Sequence, residues 1–218
     1  MTLPVPTVFV VDDDASVRRA LTRLFSSVGL RVETFAGAAD FIARGAGNEH
    51  GCLLLDIKMP TTSGLELQQQ LETAGVAMPV IFLSAHADVP VTVRAMKKGA
   101  LEVFTKPFQA DALLAAVHRA IAVDAVRRRE RTEYEMLRQR YERLTPREQT
   151  VMTKVVTGLL NKQVAGLMGT SEKTVKVHRA RVMAKMEASS LPELVRMADR
   201  LGLSPGSPNT PEGVPKVQ

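Results

Sequence analysis

The chain has 218 residues, 45% apolar and 24% charged, which suits one large or two small globular domains and excludes a disordered or fibrous chain. One cysteine, Cys52, excludes an internal disulfide framework and a cysteine-rich zinc site, and the absence of Trp with only two Tyr argues against an aromatic ligand cage. The net charge of +6 is uneven: residues 1–122 carry 11 Lys+Arg against 12 Asp+Glu, residues 123–218 carry 18 against 11, so a basic second half could face a polyanion.

In chain order, Thr7–Val11 is a short continuous apolar run rich in β-branched residues, and Cys52–Leu55 and Val80–Leu83 repeat the pattern. Such runs predict strands buried on both faces of a parallel sheet. Arg31–Phe35 and Glu102–Phe104 are weaker strand candidates. Between them, Val17, Ala20, Leu21, Leu24 and Val28 follow helical spacing and stop at Gly29. A helix over about 90–98 stops at Gly99, and Leu113, Leu114, Val117, Ala120 and Ile121 mark a fifth. Five strands alternating with five helices predict a doubly wound α/β domain, whose ligands bind at the carboxyl ends of the strands. No apolar run approaches the ~20 residues of a membrane span, and no charged-then-apolar leader opens the chain. A cytoplasmic location without a membrane partner is expected.

Asp12, Asp13 and Asp14 follow the first strand, Asp56 the third, Ser84 the fourth and Lys106-Pro107 the fifth. In a parallel sheet all these sets reach one edge. Clustered carboxylates repel, and a hard divalent cation, Mg²⁺ above all, compensates them. One carboxylate can then attack phosphorus and form an acyl phosphate, with Lys106 and Mg²⁺ neutralising the phosphoryl oxygens. Alone, a DDD run more often caps a helix than binds metal. The ordered set is specific.

The segments VFVVDDD, LLLDIKMPTTSG, VIFLSAHAD and KKGALEVFTKPF resemble the CheY-like receiver domain of two-component response regulators. The resemblance implies Asp56 as phosphoacceptor. It implies Asp13 and Asp56 as direct Mg²⁺ ligands, Asp12 acting largely through water, and the Lys58 backbone carbonyl completing the set. Ser84 becomes the switch hydroxyl and Lys106 the phosphate-pairing cation, with a cis bond before Pro107. One position departs from the family: Val103 stands where most receivers carry a switch aromatic. Strand alternation sends the neighbouring Phe104 to the other face, as core. Ala85 is small and leaves access to the phosphoacceptor open, while His86 reads as a solvated loop residue. Cys52 reads as core, and His50 and His118 carry no site signal.

From 109 to 143 there is no Pro or Gly, so helix can run on. Tyr134, Leu137, Tyr141 and Leu144 recur at a spacing that suits a short helix seam or a charged helical linker. Thr145-Pro-Arg-Glu148 is a capping box opening a helix with Val151, Met152, Val155, Val156, Leu159 and Leu160 as its stripe. Val164, Ala165, Leu167 and Met168 mark a second helix ended by Gly169. Ser171 caps a third and Ser190 a fourth. The Pro- and Gly-rich stretch after Leu203 reads as a disordered tail.

The third helix packs through Val175, Arg179, Val182 and Met186, and its other side carries Lys173, Lys176, Val177, Ala180, Arg181 and Ala184. Basic and short side chains on a narrow helix fit a DNA major groove, though a merely solvated face is the plain alternative. The stretch 144–203 resembles the LuxR-type helix-turn-helix in its FixJ/NarL response-regulator form, with Glu148, Gly158, Asn161-Lys162, Ser171, Thr174-Val175, His178 and Lys185-Met186 in place. The resemblance implies that Lys176 and Val177 face bases, with Ala180 and Arg181 at neighbouring reading positions. Lys162, Lys173, Thr174 and Lys185 fall on phosphates. His178 is expected to face inward and make a structural hydrogen bond.

The sequence therefore reads as a five-stranded doubly wound receiver (1–122), a helical linker (123–143), a small all-α four-helix DNA-binding domain (144–203) and a tail (204–218). The expected function is a DNA-binding response regulator. A sensor histidine kinase phosphorylates Asp56 with Mg²⁺, and a homodimer then binds double-stranded DNA, with RNA polymerase a further partner and activation of transcription the expected result. No substrate turnover beyond self-dephosphorylation is expected. Two rivals stand beside it. An aspartyl phosphohydrolase lacks its usual DxD pair and cap insertion here. A phosphorylation-independent DNA-binding protein has only Val103 in its support.

Overall fold

The computed structural model describes residues 5–85 and 89–203. His86 and the expected tail at 204–218 lie outside the described residues. The chain divides into two compact units, Met1–Arg129 and Glu130–Gln218. The stretch 123–143 is thus shared between them.

In the first unit, β1 (Thr7–Val11), β2 (Arg31–Phe35), β3 (Gly51–Asp56), β4 (Val80–Ser84) and β5 (Glu102–Thr105) form one parallel sheet in the order β2-β1-β3-β4-β5. The helices are α1 (Ala15–Ser27), α2 (Ala38–Arg44), α3 (Gly64–Thr73), α4 (Val89–Lys97) and the long α5 (Ala110–Glu142). Strand alternation divides the core into two layers. Phe9, Val11, Leu53, Leu55 and Phe82 share one with Ala95. Val8, Val10, Cys52, Leu54, Ile81 and Leu83 share the other with Leu21, Phe25, Leu113 and Val117. Each large side chain so buried contributes about 2 kcal/mol of transfer free energy. Val103 packs against the first layer and Phe104 against the second, as alternation requires.

Gly29 (φ +77°) and Gly99 (φ +81°) turn the chain after α1 and α4. His50 is buried, with Nδ1 2.7 Å from Asp124 Oδ2. The Gly51 N–H and Arg128 Nε donate to the same oxygen. This network ties α5 to the start of β3.

The second unit holds α5 from Glu130 onward, α6 (Pro146–Val156), α7 (Asn161–Met168), α8 (Glu172–Met186) and α9 (Leu191–Arg200). Leu137, Leu144, Met152, Val182, Met186, Leu194 and Ala198 form one core cluster, and Val151, Val155, Val164, Ala165 and Val175 another. The α6 stripe ends sooner than the sequence suggests. Gly158, at φ +88°, stops the helix after Val156, so Leu159 and Leu160 fall outside it and Leu160 is left 70% exposed. Among the described residues, no helix is long and apolar enough to cross a membrane.

Candidate functional site

The carboxyl edge of the sheet in the first unit gathers the chemistry. β1 ends at Val11 and delivers Asp12 fully buried, β3 ends on Asp56 at 5% exposure, and β4 ends on the buried Ser84. The β3–β4 register sets Asp56 opposite Leu83, and β4–β5 sets Ser84 opposite Thr105, one residue before Lys106. The Lys106–Pro107 bond is cis. Lys106 Nζ donates to Asp12 Oδ2 at 2.6 Å and to Asp56 Oδ1 at 3.1 Å.

One oxygen from each of Asp12, Asp13 and Asp56 lies within 4.8 Å of the others. Three hard oxygen donors at that spacing, two buried and one at the surface, suit a partly hydrated magnesium ion. Burial raises the Asp56 carboxyl above the usual carboxylate range, against the pull of the Lys106 hydrogen bond and charge. Burial likewise opposes the charge on Lys106, but its hydrogen bonds to Asp12 and Asp56 and their charges outweigh it, and the ammonium pKa rises. Lys58 is exposed two residues beyond Asp56. Ala85 is exposed beside Ser84.

Two neighbours of this edge, Arg18 and Gly64, had no role in the motif reading, and Asp14 takes the capping role that a DDD run offers. Arg18, one turn into α1, donates from Nη1 to the Asp12 and Asp13 carbonyls at 2.6 and 2.9 Å. Asp14 caps α1 by accepting from the Ser16 N–H. Gly64 opens α3 behind Ser63, and a Cβ there would stand 2.3 Å from the Asp56 carbonyl oxygen. Ser63 and Glu66 form a capping box that the sequence displays, and it could have pointed to Gly64.

In the second unit, α8 is capped by Ser171, whose hydroxyl accepts from the Thr174 N–H. Val175, Val182 and Met186 turn inward. Lys173, Thr174, Lys176, Val177, Ala180 and Arg181 are exposed on α8, and Lys162 is exposed on α7. Val177 is 45% exposed among these basic and short side chains. Lys185 behaves differently: Nζ donates to Glu148 Oε2 at 2.6 Å and to the Arg143 carbonyl at 3.2 Å. Glu148 is buried, and the Lys185 hydrogen bond, then the Thr145 N–H, hold its carboxyl below the usual range. His178 is half-buried, and among the described residues its Nδ1 has no hydrogen-bond partner. The expected structural bond is not made there.

Comparison with known proteins accounts for both halves. Residues 8–118 match the response regulator receiver domain, and residues 142–198 match the luxR family of bacterial regulatory proteins. Nodulation protein W of Bradyrhizobium diazoefficiens is 47% identical over 197 residues, spanning 90% of this chain and 87% of the relative. Transcriptional regulatory protein FixJ of Azorhizobium caulinodans is 43% identical over 204 residues, spanning 94% and 97%. The solved structure of the response regulator StyR superposes with a TM-score of 0.83 at 47% identity, over 90% of this chain and all of that one (100%). The chain therefore belongs to the FixJ-like two-component response regulators, transcription factors that join a receiver domain to a LuxR-type DNA-binding domain.

Proposed function

We propose that Asp56 is the residue that accepts the phosphoryl group, from a sensor histidine kinase. One observation carries this reading: Lys106 bridges Asp12 and Asp56 at the strand ends, and among the described residues only one of the two carboxylates keeps an uncommitted oxygen. Asp12 accepts at both oxygens, from the Asp14 N–H and from Lys106. Among the described residues, Asp56 accepts at Oδ1 alone. Its other oxygen attacks phosphorus, the bond from phosphorus to the kinase's histidine nitrogen breaks, and the nitrogen keeps the electron pair.

Asp12, Asp13 and Asp56, with the Lys58 carbonyl, would hold Mg²⁺. When bound, the ion supplies positive charge against the phosphoryl oxygens. Lys106 shares that charge and pairs with the product phosphate. The Ser84 hydroxyl, at the neighbouring strand end, hydrogen-bonds the phosphate. No turnover of an external substrate follows, only the slow loss of phosphate from Asp56.

The readout is a second copy of the chain. Val89, Val93 and Met96 leave an exposed apolar face on α4, next in the chain to the β4 end that carries Ser84. A two-state shift of this region favours pairing, and pairing brings two α8 helices to neighbouring half-sites on DNA. Lys176, Val177, Ala180 and Arg181 read base edges, while Lys162, Lys173 and Thr174 contact phosphates. Lys185 reaches phosphate only by leaving Glu148. RNA polymerase is the partner through which transcription rises, and the protein works in the cytoplasm. The test is gel mobility of wild-type and Asp56→Asn protein with a small acyl phosphate and Mg²⁺. Retardation of DNA strengthened in the wild type and not in the variant supports the reading.

A further inference from the structure

We infer that Arg18 is a positioning residue for the acidic triplet: it sets the β1–α1 turn so that Asp12 and Asp13 present their carboxylates beside Asp56. The inference rests on the reading of that triplet as a magnesium site.

The turn from β1 to α1 is three residues long, Asp12, Asp13 and Asp14, and Arg18 takes a hydrogen-bond acceptor from each. Its backbone N–H donates to the Asp14 carbonyl at 3.1 Å, the first bond of α1. Its Nη1 reaches back to the Asp12 carbonyl at 2.6 Å and the Asp13 carbonyl at 2.9 Å. These bonds carry a full positive charge on the donor, which makes them strong and short. Two successive carbonyls are thereby held by one side chain, and the third by the backbone of the same residue.

The need for such a fixture differs between the two acids. Asp12 is held from its own side chain, by the Asp14 N–H at 2.9 Å and by Lys106 at 2.6 Å. Asp13 is not. It is exposed, and among the described residues its carboxylate accepts no hydrogen bond. Among the described residues no hydrogen bond holds that carboxylate within 4.8 Å of the other two oxygens, and Arg18 is the side chain that grips the Asp13 backbone from which it projects. Arg18 itself is only partly exposed. Partners behind ligands of this kind fix ligand direction, and their loss weakens metal binding even where the fold survives.

Arg18 also places a cation near a cation site, and by charge alone that weakens magnesium binding. The two effects have opposite signs, so one substitution separates them. The experiment is a titration of the ¹⁵N-labelled full chain with MgCl₂, following the Asp13 and Asp14 amide shifts, with a thermal midpoint for each variant. Arg18→Met is expected to weaken magnesium binding about tenfold, as loss of an outer partner does. Unchanged binding in Arg18→Met, with or without a lowered midpoint, overturns the inference and leaves Arg18 a structural residue. Tighter binding also overturns it, in favour of charge alone. If Arg18→Met fails to fold, Arg18→Gln, which is neutral and too short to reach both carbonyls, decides on the same terms. A wild-type chain whose Asp13 and Asp14 shifts do not saturate with magnesium overturns the reading of the triplet itself, and the inference with it.

Discussion

The Lys106 ammonium lies 2.6 Å from Asp12 Oδ2 at the carboxyl edge of the sheet. This is closer than its 3.1 Å approach to Asp56 Oδ1, so the cation is anchored by one acid and shared with the other. On the proposed reading, the anchor holds a positive charge where phosphoryl oxygens would arrive, without reorganisation at that moment. Lys106→Met is expected to slow phosphorylation of Asp56 by a small acyl phosphate about a hundredfold. Intact-mass time courses at fixed Mg²⁺ measure it.

Gly64→Ala tests how tightly Asp56 is packed. The added methyl meets the Asp56 carbonyl oxygen at 2.3 Å, and that oxygen belongs to a central strand that cannot retreat. A loss of about 1–3 kcal/mol is expected from such overpacking. Asp56 should also accept phosphate more slowly. Chemical denaturation and the same mass assay report the two effects.

The second unit should lose stability in acid through Glu148. Its carboxyl titrates below the ordinary 4.5, because Lys185 and the Thr145 N–H favour the charged form. A lowered folded pKa means the stabilisation is complete above the unfolded value and disappears as pH falls through the folded one. Both tyrosines, Tyr134 and Tyr141, lie in this unit, so tyrosine fluorescence follows its unfolding selectively. Melts should drop as pH falls below about 4.5, while Glu148→Gln should be less stable at neutral pH by about 1–2 kcal/mol and less sensitive to acid.

Lys176 and Lys185 should behave differently on DNA. Lys176 is exposed, with only a loose 3.8 Å pairing to Glu172, whereas Lys185 is spent on Glu148 and the Arg143 carbonyl. Lys176→Ala is expected to weaken DNA binding and to relax preference at one base, because it reads a base edge. Lys185→Ala should instead lower the thermal midpoint and change the salt slope little. Fluorescence anisotropy across a salt series separates the cases.

Much of this was legible in the sequence. The β1, β3 and β4 strands announce themselves as unbroken apolar runs because both faces are buried, and strand ends are where acids and Lys106 must converge in a parallel sheet. The Thr145–Glu148 box marks the start of α6 to the residue. What stayed hidden depends on contacts between distant segments or on backbone approach. The His50–Asp124 pair spans 74 residues and has no local signature. Arg18 looks like any solvated arginine on α1 until its reach to two carbonyls is measured. Gly64 looks like a turn glycine, whereas its role is to let Asp56 come close. Lys185 sits at the margin of the basic face by helical spacing, and only the buried Glu148 explains why it turns away.

The most direct test follows phosphate and DNA in one sample. Wild-type and Asp56→Asn chains are incubated with acetyl phosphate and Mg²⁺, then compared by intact mass, by light scattering and by retention of DNA fragments selected from a random pool. The wild type is expected to gain one phosphoryl group, enlarge to a dimer and retain DNA more tightly, with no change in the variant. A variant that gains the phosphoryl group and the DNA affinity as the wild type does, or a wild type that gains neither, contradicts the assignment of Asp56.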